Sequence, residues 1–133
     1  MDALEGIWRL IDSRAWAGST DRLSAPYGAR PLGQIMFSQG RMLTALCNGD
    51  AAVGTHGDNG FSSYGGRYSF DGAKLECVVD MASDPKRVGL HQVREVVMLG
   101  EDELLLRPPP RLYGTKLEKR ELVWKRVWHP DDE

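Results

Sequence analysis

FSSYGGRYSFDGAKLECVVDMA, residues 61–82, decides the fold. Two runs, 61–70 and 74–82, alternate between side chains suited to a core and side chains suited to water, and Asp71-Gly72 lies between them. Period-2 alternation on both sides of Asp-Gly is a strong β-hairpin signal, because glycine supplies the positive φ that tight primed turns need. The same pattern spreads in both directions. Upstream, 34–38 and 41–47 flank Gln39-Gly40, and 6–17 forms a first strand. Downstream, Asp84-Pro85 makes a turn, since proline fixes its own φ and restricts the residue before it. Runs 89–99 and 103–107 flank Gly100-Glu101-Asp102, and 118–128 is the last strand. Pro108, Pro109 and Pro110 cannot lie inside a paired central strand. The count is eight strands, nearly all joined by short turns between sequence neighbours. An eight-stranded antiparallel up-and-down meander hides its edges by closing into a barrel, so the expected fold is all-β with one domain over 1–133.

The composition agrees with a packed, water-soluble chain. Hydrophobic residues make up 41 % and charged residues 27 % of 133, enough for a core and too much for wholesale disorder. The 17 basic and 19 acidic residues leave a net charge of −2, a poor basis for gripping a phosphate backbone, so no nucleic-acid partner is expected. No run approaches the ~20 apolar residues needed to cross a bilayer. The opening MDALE lacks the basic and apolar regions of a signal peptide, so a cytoplasmic protein is expected. Cys47 and Cys77 then read as small buried hydrophobes without a disulfide. With three scattered histidines they make no zinc spacing, so neither metal nor cofactor is expected. The Gly/Asp/Asn-rich stretch 48–60 lacks the ligand spacing and closing Glu of a calcium loop and is expected as a rim loop.

Alternation assigns the faces. Gln92, Arg94, Val96 and Met98 share one face, opposite His91, which falls to the surface or rim. Tyr64, Gly66, Tyr68 and Phe70 share another face. Mixed faces of this kind suit a barrel with a lined central cavity, which at eight strands holds side chains or one small ligand. An Arg94 turned inward cannot discharge and demands a polar partner: Asp80 or Glu76, ordered water, or the anionic or carbonyl oxygen of a ligand. Two function classes follow. In the first, the cavity binds a small hydrophobic molecule, with Arg94 as anchor and Gln92, Tyr64, Tyr68 and Met98 as lining. In the second, a cofactor-independent isomerase, cyclase or lyase uses Asp80 as proton shuttle while Arg94 and Tyr68 hold the developing oxyanion. A third class, an interaction module, rests on surplus tryptophans: Trp128 outside the barrel would serve a homodimer, and otherwise the chain is a monomer.

Gly6-Ile7-Trp8 is the G-x-W that resembles the start of lipocalins and the wider calycin group. Further stretches, PYGARPLGQIMFSQGRM at 26–42, SYGGRYSFDG at 63–72, DPKRVGLHQVRE at 84–95, ELLLRPPP at 103–110 and LVWKR at 122–126, are similar to the small intracellular lipocalin-like domain family. That resemblance implies a barrel closed at one end by Trp8 with Arg126 over its indole. The family's fifth-strand histidines are here Cys77 and Val78, so chemistry that uses them is not carried over. In up-and-down order the long loops 18–32 and 48–60 fall at the opposite end from that floor, where they would frame and gate an entrance.

Overall fold

The computed structural model describes residues 3–18, 21–23, 25–50, 60–113 and 115–132. Eight antiparallel strands close a barrel: β1 (Gly6–Ala17), β3 (Pro31–Ser38), β4 (Arg41–Asn48), β5 (Ser62–Phe70), β6 (Lys74–Ala82), β7 (His91–Met98), β8 (Glu103–Arg107) and β10 (Lys116–Trp128). Each pairs with the next in that order, and β10 returns to β1. Two short strands add to the expected eight. β2 (Asp21–Leu23) pairs with Ala15 to Ala17 of β1, and β9 (Arg111–Tyr113) pairs with Lys116 to Glu118 of β10. The reason is length. β1 and β10 pair with each other as far as Ala17↔Glu118, whereas β3 accompanies β1 only along Gly6 to Arg9. The outer parts of β1 and β10 thus stand as a ribbon beside the mouth, and β2 and β9 occupy its free edges. Among the described residues no helix is long and apolar enough to cross a membrane.

The tight turns gather at one end. Gln39-Gly40 joins β3 to β4, while the turn at Asp71 is held by its carboxylate, which accepts from the backbone N–H of Ala73 at 2.9 Å and of Lys74 at 2.6 Å. At the other end β1, β4, β6 and β8 finish, at Ala17, Asn48, Ala82 and Arg107. Both loops expected at the entrance leave their strands at that end, but residues 19, 20, 24 and 51–59 lie outside the described residues, and with them most of the second loop and the gating expectation. The link from β6 to β7 is a one-turn 3₁₀ segment, Pro85–Arg87, capped by Asp84 accepting from the Lys86 N–H.

At the tight-turn end the barrel is solid. Trp8 is fully buried, and its indole N–H donates to the Leu4 carbonyl at 2.8 Å. The Arg126 guanidinium lies 4.4 Å over the indole ring and donates to the carbonyls of Glu5, Ala3 and Glu101. It also approaches Asp102 at 3.3 Å. This cation–π plug ties the first residues, the β7–β8 turn and the last strand together, as expected of Trp8 and Arg126. Gly6 is required there on two counts: its φ is +130°, and a Cβ would stand 2.4 Å from the Trp128 carbonyl oxygen. Phe37, Met42 and Val79 pack above the plug.

One local irregularity re-aims side chains on β6. Gly65 pairs with Met81 but Gly66 pairs with Val79, so Asp80 is an extra residue, a β-bulge. Leu75, Cys77 and Val79 face inward, while Asp80 and Met81 both point out. Gly66 allows the close approach, since a Cβ there would lie 1.9 Å from the Val78 carbonyl oxygen. On the outer surface Trp128, Ile7, Met36, Leu43, Gly65 and Met81 are paired strand to strand in a single row.

Candidate functional site

A cavity of about 270 Å³ occupies the mouth half of the barrel. Its walls come from strand interiors, and its rim from the connections at that end. Ile35, Leu46, Leu106, Leu122 and Trp124 supply apolar surface, with Thr44 and Tyr64 among them. The rim carries Tyr27, Ser62, Arg87, Arg94, Arg111 and Arg120, together with Glu118, the one carboxylate that lines it among the described residues. Pro108 and Pro109 shape the β8 side of the opening. Four guanidiniums thus face one carboxylate.

The four arginines fall into two pairs. Arg111 and Arg120 both donate from Nε to the same Glu118 oxygen, at 2.9 and 2.7 Å, and Glu118 is only 5 % exposed. Burial pushes the Glu118 carboxyl up, but the hydrogen bonds and charges of Arg120 and Arg111 together outweigh it, leaving the group below its ordinary value. Arg87 and Arg94 meet neutral partners instead. Arg87 donates to Ser62 Oγ at 2.9 Å and to Gln92 Oε1 at 2.7 Å, and lies 4.4 Å over the Tyr64 ring. Arg94 donates to the Val93 carbonyl at 2.8 Å and to the same Gln92 oxygen at 3.3 Å. Among the described residues neither has a carboxylate within ion-pair distance. Burial raises the phenol pKa of both Tyr64 and Tyr27, and nearby arginines pull it only part of the way back. At neutral pH both are proton-bearing donors.

Among the described residues four enclosed polar atoms have no hydrogen-bond partner, two of them on residues that line the cavity, Thr44 Oγ1 and Trp124 Nε1, and two on Arg14 Nε and Arg126 Nε. Thr44 is 2 % and Trp124 1 % exposed. Unmade hydrogen bonds at such depth are uncommon in native proteins and call for an explanation.

Of the residues expected at the site, Arg94, Gln92 and Tyr64 come together as cavity wall and its support. Three others do not. Tyr68 sits four residues closer to the floor than Tyr64 and packs edge-on against Phe37, ring centroids 5.0 Å apart, in the solid half. Met98 ends β7 at the floor, partly exposed, in a surface depression with Ala3, Arg126 and His129. Asp80 is on the outer face, paired with Arg41 at 2.6 Å, because β6 turns its even-numbered side chains outward. Glu76 shares that face, where His91 Nδ1 meets it at 3.1 Å, so neither carboxylate neutralises Arg94. Cys77 is buried, and desolvation, with the Asp80 charge adding to it, pushes its thiol up to about 11. It is therefore a thiol at neutral pH and no nucleophile. Among the described residues no three His, Cys, Asp or Glu side chains stand close enough to hold a metal ion.

Sequence reasoning missed Arg87, Arg111, Arg120, Glu118, Tyr27, Thr44 and Trp124 as site residues. Glu118 and Arg120 had a signal: stepping back by twos along β10 from Trp124 and Leu122 reaches both. So had Thr44, between Met42 and Leu46 on the inward face of β4.

The Glu118 clamp has a pH consequence. A carboxylate whose pKa is lowered by folding stabilises the fold above its unfolded-state value, ordinarily 4.5, and that share is lost as pH falls through the lower folded value. Glu118→Gln is expected to be less stable than wild type at pH 7, since Arg111 and Arg120 lose their shared counter-charge. The gap in urea midpoint should narrow steadily below pH 4.5. A gap independent of pH would show that the Glu118 charge contributes nothing.

Compared with known proteins, the chain matches no family model and no curated protein.

Proposed function

We propose that the barrel binds a small, largely apolar molecule bearing an anionic oxygen, with the anion at the arginine-lined mouth and the apolar body in the cavity. One observation carries this: Arg87 and Arg94 stand at the opening over apolar walls, held among the described residues by neutral groups. A guanidinium cannot discharge, and a partly buried one without a counter-ion favours an anion strongly. Gln92 aligns the pair by offering one oxygen to both, so the two charges are set in place before any ligand arrives. At about 270 Å³ the space is at the small end for ligand pockets.

Carriage is favoured over turnover by the state of Glu118. A general base works best with a pKa near the working pH, and this carboxylate is held in the opposite direction by two arginines. Asp80 is outside. Isothermal titration with octanoate and with octanol separates an anion site from a greasy one. Octanoate should bind at least tenfold more tightly, and the difference should shrink as salt is added. Equal affinities would overturn the proposal.

A further inference from the structure

The charges around the cavity do not balance. Among the described residues Arg87, Arg94, Arg111 and Arg120 line it with a single carboxylate, Glu118, which leaves an excess of three positive charges. Asp50 and Asp84 are not part of the lining: Asp50 pairs with Arg30 at 2.9 Å, and Asp84 caps the 3₁₀ turn. Glu118 does not use up the two arginines it holds. Both donate to it from Nε and to the same oxygen, and among the described residues their terminal nitrogens make no other hydrogen bond. The four cations act on one place. The Tyr27 phenol, raised by burial, is pulled back by the charges of Arg120, Arg87, Arg94 and Arg111 alike. A sphere with the cavity's volume of about 270 Å³ is roughly 8 Å across, no more than a Debye length, so dissolved salt only partly screens these charges from an anion held there.

Resting on the anion-binding reading above and deepening it, we propose that the ligand's head group carries two negative charges, as a phosphate monoester does, and sits at the mouth in the field of all four arginines. A single carboxylate would leave most of the excess in place. A monoester brings about −1.5 to −2 charges at neutral pH and three acceptor oxygens suited to guanidinium forks. Both charges belong on the head group, because the apolar walls, Ile35, Leu46, Leu106, Leu122 and Trp124, offer no cation to a second charge farther along the ligand. An excess shared by several cations selects by charge number, since each added negative charge is attracted by all of them. Arg111 and Arg120 then have a part in binding beyond their clamp on Glu118.

The test is isothermal titration with octyl phosphate and octyl sulfate, which share tail and tetrahedral head but carry, at about pH 7.5, roughly two charges and one. On wild type the phosphate should bind roughly tenfold more tightly or better, and the gap should close as salt is added. Arg111→Gln takes one cation from the mouth. It should weaken the phosphate more than the sulfate and narrow the preference about threefold or more. The Arg111 side chain is 64 % exposed and Arg120 stays on Glu118, so this variant should unfold in urea close to wild type. Arg41→Gln removes the same charge from the outer wall, where Arg41 pairs with Asp80, and should leave the preference as it was. Equal affinities for phosphate and sulfate on wild type, both above that of octanol, overturn the inference and leave the anion site standing. A preference untouched by Arg111→Gln also overturns it, because Arg87 and Arg94 alone would then account for binding. So does a preference narrowed equally by Arg111→Gln and Arg41→Gln, which would trace it to the charge of the whole protein. If neither anion binds more tightly than octanol, the anion-binding proposal itself fails.

Discussion

Trp8→Ala is expected to lose about 3–5 kcal/mol of folding stability, the range for emptying the site of a buried large aromatic. The indole is fully enclosed, donates to Leu4 and carries the Arg126 guanidinium on its face. Removing it leaves a void, takes a donor from the Leu4 carbonyl and takes the aromatic face from under a charged side chain. Against a typical total of 5–15 kcal/mol for a native protein, that is a large share. Urea denaturation read by far-UV circular dichroism gives the value directly. Trp8→Phe should lose less, since it keeps an aromatic face for Arg126 while giving up the N–H and some volume. A loss below about 1 kcal/mol for Trp8→Ala would mean the plug is incidental to the fold.

Arg94→Met is expected to weaken octanoate by about 1.5–3 kcal/mol, the worth of a charge-assisted hydrogen bond, or roughly ten- to 150-fold in affinity. Methionine keeps the length and flexibility of the stem. The fold should tolerate the change, because among the described residues Arg94 bonds a backbone carbonyl and the Gln92 amide, and strands no carboxylate when it goes. Arg87 still presents one cation, so binding should weaken without vanishing, and its salt dependence should flatten. Titration at two ionic strengths reads both effects. Unchanged octanoate affinity would remove Arg94 from the site.

How much of this was legible before the coordinates follows from the kind of signal each part leaves. Strands Gly6–Ala17, Lys74–Ala82 and Glu103–Arg107 run between the expected residues because glycine, proline and Asp-Gly punctuate them sharply. β2 and β9 left no trace. Three residues are too few for alternation, and both exist only because β1 and β10 outrun the barrel and offer free edges. Within the site, Arg94, Gln92 and Tyr64 were readable from alternation. The outward direction of Asp80 was readable too, since Leu75, Cys77 and Val79 are the apolar set. Its neighbour Met81 was not, because a bulge adds a residue without altering composition. Arg87 and Arg111 escaped for a different reason. They come from a 3₁₀ turn and from the short strand after the prolines, where no period says which way a side chain points.

The seam that closes the barrel joins the two ends of the chain, from Ile7↔Trp128 to Ala17↔Glu118. During synthesis β3 to β8 can each add to a growing sheet as they emerge, but β1 keeps one edge open until β10 arrives. Ring closure is therefore the most non-local step and carries the greatest loop entropy, a topology that folds slowly. Until then the nascent sheet shows two unpaired edges, templates for any neighbouring strand. A chain cut before Lys116 would not be a shorter barrel. It would be an open, self-adhesive sheet.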